Sequence, residues 1–290
     1  MRRAVDIFHV GPQKSGTTWV YQCFREHPEI AVPETDATHY YSMYFHRGYE
    51  WYMSCYGAPL EDQRLFDPTP DYLRSPVAAS RIASDNPDAR IIVCLREPIE
   101  RAFSHYWHER KKHRFNFNFE EVLNNYDLFM NWIEPGFYST HLKRFREHFP
   151  GDQIHAVLFD DLQADPHAFI RDLYAFAGVR SDFSPTVLRT RVNSATSAVP
   201  RDAVYRTRGK QILKDLGLYD FVRRTRNALA KGGRASTRGS GEIPNVGDVD
   251  PGVTTELVNL LECEYASLET LLGRNLDGWR GRYGQQGGST

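Results

Sequence analysis

Apolar and polar positions change period along the chain in a regular order. Val5-Asp6-Ile7-Phe8-His9-Val10 reads as a short strand, Gly11 to Gly16 as a tight turn, and Thr17 to about His27 as a helix that Pro28 stops. A second apolar run, Arg90 to Leu95, leads into Pro98, which suits a first helical position; Ile99, Ala102, Phe103 and Tyr106 then recur at helical spacing. A third strand is predicted over Ile154 to Phe159, between a helix from about Tyr138 to Phe149 and another from about His167 to Phe176 that Gly178 ends. Strands alternating with helices predict an α/β fold, a mainly parallel sheet covered on both faces, in one domain spanning the chain.

Past about Asn193 the strand signals fade. Arg201 to Arg238 carries eleven Lys/Arg against three Asp/Glu and ends in KGGRASTRGSGE, so about residues 230–245 read as a mobile basic loop. Helical spacing returns from about Thr254 to Leu272, where Leu257, Leu260, Leu261, Tyr265 and Leu268 form an apolar stripe. With 290 residues, 41% of them hydrophobic, the chain can bury a full core. Its 36 basic and 37 acidic residues nearly cancel, which argues against nucleic acid and confines anion binding to local clusters. The opening MRRAVDIFHVG is too short for a signal core and no run is long enough to span a membrane, so a cytoplasmic protein without a membrane partner is expected. Cys23, Cys55, Cys94 and Cys263 are too scattered for a disulfide framework or a metal site, and no metal is expected.

Two stretches carry anion chemistry. Gly11-Pro12-Gln13-Lys14-Ser15-Gly16-Thr17-Thr18 falls where a strand hands over to a helix, so backbone N–H groups and the helix N-terminus converge there. Gly16 permits the turn, Lys14 supplies a point charge, and Ser15, Thr17 and Thr18 add hydroxyls. The Walker order is absent because the lysine precedes the second glycine, which disfavours a magnesium-dependent kinase or ATPase. Thr17 or Ser15 could instead be plain helix caps. In LREPIERAFSHYW, Arg96 ends a strand while Glu97, Arg101 and Ser104 share a helix face. Arg96 and Ser104 offer the forked guanidinium and short hydroxyl that a phosphate monoester needs, and Arg101 is expected to brace Glu97 or a neighbouring carboxylate.

KSGTTW resembles the loop with which sulfotransferases hold the 5′ end of 3′-phosphoadenosine 5′-phosphosulfate, and R-x-P-x-E-R-x-x-S is similar to their 3′-phosphate motif. The resemblance implies a P-loop-type fold and that donor as co-substrate, with Gln13 to Thr18 at its 5′ phosphosulfate, Lys14 also at the transferring group, and Arg96 and Ser104 at its 3′ phosphate. Trp19 would lie near adenine or belong to the core. Gly136-Phe137-Tyr138, Asp160-Asp161-Leu162 and Leu271 to Trp279 look like later landmarks of bacterial and carbohydrate sulfotransferases.

The acceptor side departs from that pattern. Relatives often read Lys-Glu or Lys-Asp shortly before paired aromatics, whereas Asp36 and Ala37 stand here. His39 could act as general base, as a histidine does in cytosolic sulfotransferases, with Asp36 or Glu34 orienting or replacing it. Eight aromatics between Tyr40 and Tyr56 suggest either a planar acceptor surface or core. Asp67-Pro68-Thr69-Pro70-Asp71-Tyr72 resembles a cleft-lining stretch, and Pro68 stands where some carbohydrate enzymes carry lysine, against a heparan-like acceptor. The expectation is sulfuryl transfer to the hydroxyl or amine of a small molecule, aromatic or glycosylated, by a monomer or homodimer. A nucleotide-binding relative without turnover and an atypical P-loop phosphotransferase are the alternatives.

Overall fold

The computed structural model describes residues 3–112, 117–189 and 246–283. Five strands, β1 (Ile7–Gly11), β2 (Ile30–Ala31), β3 (Arg64–Asp67), β4 (Arg90–Leu95) and β5 (Ile154–Leu158), form one sheet in the order β2-β3-β1-β4-β5. All four pairings are parallel. Between the strands lie α1 (Thr17–Glu26), α2 (Tyr49–Ser54), α3 (Ala78–Asp85), α4 (Pro98–Arg110), the single turn α5 (Tyr126–Leu128) and α6 (Tyr138–Arg146). After β5 come α7 (Phe159–Ala164), α8 (Pro166–Ala177), α9 (Pro251–Leu272) and α10 (Asp277–Arg280).

The period of two along each strand divides the core. Phe8, Val10, Leu65, Ile91, Val93, Leu95 and Leu158 face one hydrophobic cluster, which α3, α4, α6 and α9 cover. Ile7, Phe66, Ile92, Cys94 and Val157 face a second, roofed by α1, α7 and α8. Ile91 through Leu95 are all fully buried, as a central parallel strand covered on both faces must be. Each such aliphatic side chain contributes about 1.5–3 kcal/mol.

The three strands expected from sequence are present, as are helices covering both faces. β2 and β3, of two and four residues, are additions. The expected mobile loop at about residues 230–245 lies outside the described residues. No helix among the described residues is long and apolar enough to cross a membrane.

From β1 the chain fills the β3–β2 side, then crosses β1 to build β4 and β5 on the other. That reversal leaves a crevice beyond the carboxyl ends of the central strands, where open parallel sheets bind ligands.

Candidate active site

The crevice is floored by the turn after β1. Gly11, at φ +110°, lies so close to β3's continuation that a Cβ there would sit 1.9 Å from the Pro70 carbonyl oxygen. Lys14 and Gly16 also take positive φ, 72° and 86°, which turns the backbone sharply into α1. No side chain caps α1, so neither Ser15 nor Thr17 does the capping that a purely structural turn would need. The Ser15 hydroxyl is buried without a hydrogen-bond partner. An orphaned hydroxyl below an uncapped helix start fits an anion's oxygen.

Lys14 is held chiefly by burial, then by the charge of Lys112, well below the usual lysine range, at about 7. Arg96 leaves the end of β4 and donates from Nη1 to the Lys14 carbonyl at 3.4 Å, joining the two stretches singled out in sequence. Its guanidinium lies over the Phe159 ring, 4.9 Å from the centroid, and pairs with Glu100 at 3.2 Å. Glu100 is shared with Arg282, which also binds Asp160. Glu97 caps α4, accepting from the Ile99 and Glu100 N–H groups at 3.0 and 2.7 Å, and receives the Tyr265 hydroxyl at 2.8 Å and that of Tyr283. Arg101 therefore does not brace Glu97. The cap has already satisfied that carboxylate, and Arg101 donates to the Trp132 carbonyl while its buried Nε has no partner. Ser104 is half-buried on α4.

The segment after β2 returns over the crevice and is pinned to β3's end. The buried Asp67 carboxylate accepts from Thr38 Oγ1 at 2.8 Å, Tyr52 at 2.7 Å, Tyr72 at 3.0 Å and the Thr69 amide at 3.0 Å. Burial nonetheless pushes its pKa above the usual carboxylate range. Thr69 Oγ1 in turn accepts from the Thr38 amide at 2.9 Å. This network delivers His39 to a cleft of about 220 Å³ lined by Gln13, Thr17, Thr18, Asp36, Ala37 and His39, among others.

The sulfotransferase domain family matches residues 4–203 of this sequence. The chain belongs to that family. The bifunctional heparan sulfate N-deacetylase/N-sulfotransferase 4 of Mus musculus is 30% identical over 194 residues, 60% of this chain but 22% of the relative. The heparan sulfate glucosamine 3-O-sulfotransferase 3A1 of Mus musculus is 28% identical over 177 residues, covering 59% and 45% respectively. This chain thus spans about a fifth of the length of the bifunctional relatives. A sulfotransferase structure from Alicyclobacillus acidocaldarius superposes with a TM-score of 0.69 at 24% identity, covering 97% of this chain and all of that one, and so shares the fold.

The cleft unites Gln13, Thr17 and Thr18 with His39 and Asp36; Lys14, Ser15, Gly16, Arg96 and Ser104 lie outside its lining. Glu34 is exposed and also absent from the lining. Trp19 is half-buried and packs edge-on against Phe169, 6.1 Å between centroids, within the second core cluster. Four of the eight clustered aromatics, Tyr40, Tyr41, Tyr52 and Tyr56, are core. Two features escaped the sequence reading. Asp71 bonds His39 across 32 positions of chain, and α4 with the turn after it carries Arg101, His105, His108 and Lys112 at three- and four-residue steps beside Lys14. Burial, then neighbouring positive charge, lowers His105 to about 3 and His108 to about 4. That spacing was readable; the neutral state of the two histidines and the Asp71 contact were not.

Proposed function

We propose that this sulfotransferase moves the sulfuryl group of 3′-phosphoadenosine 5′-phosphosulfate onto the hydroxyl or amine of an acceptor in the cleft. The carrying observation is that the histidine able to take the acceptor's proton lines one cleft with the threonines of the anion loop. Gln13 to Thr18 would hold the donor's 5′ end and Arg96 with Ser104 its 3′ phosphate, and the Arg96 bond to the Lys14 carbonyl keeps the two stretches adjacent. As the acceptor oxygen or nitrogen forms its bond to sulfur, its proton passes to His39. The bond from sulfur to the phosphate oxygen breaks, and Lys14, when protonated, neutralises the charge gathering on that oxygen. Asp36, exposed at the cleft rim, could relay the proton outward. Lys111 and Lys112, just past the end of α4, place positive charge beside Lys14 and favour an acceptor with a negative group of its own; the heparan sulfate in the relatives' names belongs to those proteins.

Calorimetry with 3′-phosphoadenosine 5′-phosphate, without magnesium, tests the donor assignment. Lys14→Ala and Arg96→Ala should each weaken binding at least about tenfold. Adenosine 5′-phosphosulfate, which lacks the 3′ phosphate, should lose affinity in Lys14→Ala but not in Arg96→Ala. His39→Ala should bind the nucleotide as the wild type does and fail to turn over; equal sensitivity of both ligands to Arg96→Ala, or full activity of His39→Ala, would overturn the reading.

A further inference from the structure

We infer that Asp71 is a positioning residue for the reaction, fixing His39 in the tautomer whose lone pair lies on Nε2; this rests on the reading of His39 as the base. His39 Nδ1 lies 3.0 Å from Asp71 Oδ1. A carboxylate can only accept there, so Nδ1 carries the hydrogen and the neutral ring presents Nε2 as its basic nitrogen. Asp71 is itself held. Its second oxygen accepts from Ser42 Oγ at 3.0 Å, which fixes the plane of the carboxylate against the ring.

The backbone shows how firmly this arrangement is imposed. His39 takes the left-handed conformation, φ 53°, which side-chain-bearing residues adopt at a cost. Several bonds hold it there: the Thr69 hydroxyl accepts from the His39 amide at 3.4 Å, and the His39 carbonyl accepts from the Met43 and Tyr44 amides at 2.8 and 3.0 Å. Both sides of the dyad therefore hang from β3. Asp71 lies four residues past its end, and Thr69 anchors the His39 segment between them. The chain carries alanine at position 37, and the loop after β3 brings a carboxylate to the histidine two residues further on.

The test reads the tautomer directly. In histidine-15N-labelled protein saturated with 3′-phosphoadenosine 5′-phosphate, at a pH of about 8.5 where imidazole is neutral, two-bond nitrogen–proton correlations should show His39 protonated on Nδ1. Asp71→Ala should lose that preference, and Asp71→Asn, whose amide N–H can donate to Nδ1 while its oxygen accepts from Ser42, should shift the proton to Nε2. With an acceptor that supports turnover, Asp71→Ala should lower kcat by about 10- to 1000-fold, with nucleotide affinity changed less than about twofold. A wild-type His39 protonated on Nε2 would overturn the inference whether or not the alanine variant folds, and so would an unchanged tautomer in Asp71→Ala. Full activity of His39→Ala would instead remove the base reading while leaving the measured tautomer standing.

Discussion

Lys14 concentrates a conflict that a bound anion would resolve. Its left-handed backbone aims it over the turn, and burial with Lys111 and Lys112 nearby disfavours its charge, leaving it near pH 7 rather than the usual 10.5. The sign follows from that depression. Below about 7 the ammonium is charged in the folded protein, and above it the amine is neutral although the unfolded chain stays protonated to about 10.5. The burial penalty on stability is thus complete in acid and fades as pH rises from 7 toward 10.5. A bound phosphate dianion reverses the balance by stabilising the ammonium. At about pH 8, where the nucleotide's own phosphates are already ionised, binding 3′-phosphoadenosine 5′-phosphate should take up close to one proton. Calorimetry in two buffers of different ionisation enthalpy measures that uptake. Lys14→Met should abolish it, and equal uptake in the variant would place the titrating group elsewhere.

At the scale of elements, Glu97 couples α4 to α9. One carboxylate caps α4 and receives hydroxyls from Tyr265 of α9 and from Tyr283, so it fixes where α4 starts and hence where the preceding Arg96 points. Glu97→Ala would remove the cap and strand the two hydroxyls, costing about 2–4 kcal/mol in urea unfolding. It should also weaken the nucleotide more than it weakens adenosine 5′-phosphosulfate; equal loss for both would mean that Arg96 had not moved. The proline after Glu97 and the helical spacing beyond it made α4 legible in the sequence. β1, β4 and β5 were legible as apolar runs between turn residues. β2 and β3 were not, because two- and four-residue strands carry too little periodicity, and β3 contains Arg64 and Asp67, whose charges disguise a strand. Asp67 is tolerated inside because hydroxyls and an amide brought from positions 38, 52, 69 and 72 surround it, a set that only the folded chain assembles.

The whole molecule shows the same division. Groups within one motif, such as the turn at Lys14 or Arg96 beside its helix, could be found from local order, whereas contacts between distant segments could not: His39 with Asp71, or Arg96 with the Lys14 carbonyl. Net charge was equally mute, since a total of −1 conceals the positive charge that Arg101, Lys111 and Lys112 gather around Lys14. The C-terminal segment supplies the longest of these connections. Trp279, 2% exposed, packs edge-on against Tyr265 and donates from Nε1 to Asp160 at 2.9 Å. The other Asp160 oxygen binds Arg282, whose guanidinium also draws on Glu100, the carboxylate paired with Arg96. Arg282 thereby divides Glu100's charge between two arginines, and a 3′ phosphate held as proposed would compete against a weakened partner. Trp279→Ala should cost about 3–5 kcal/mol of stability through lost packing. By loosening Asp160 and Arg282 it should also leave Glu100 wholly to Arg96, so that 3′-phosphoadenosine 5′-phosphate binds about three- to tenfold more weakly, a difference of about 0.7–1.4 kcal/mol. Adding Glu100→Gln to Trp279→Ala should restore that affinity without restoring the melting temperature. If the double variant binds no better than Trp279→Ala alone, the C-terminal segment supports the fold and does not set the charge around Arg96.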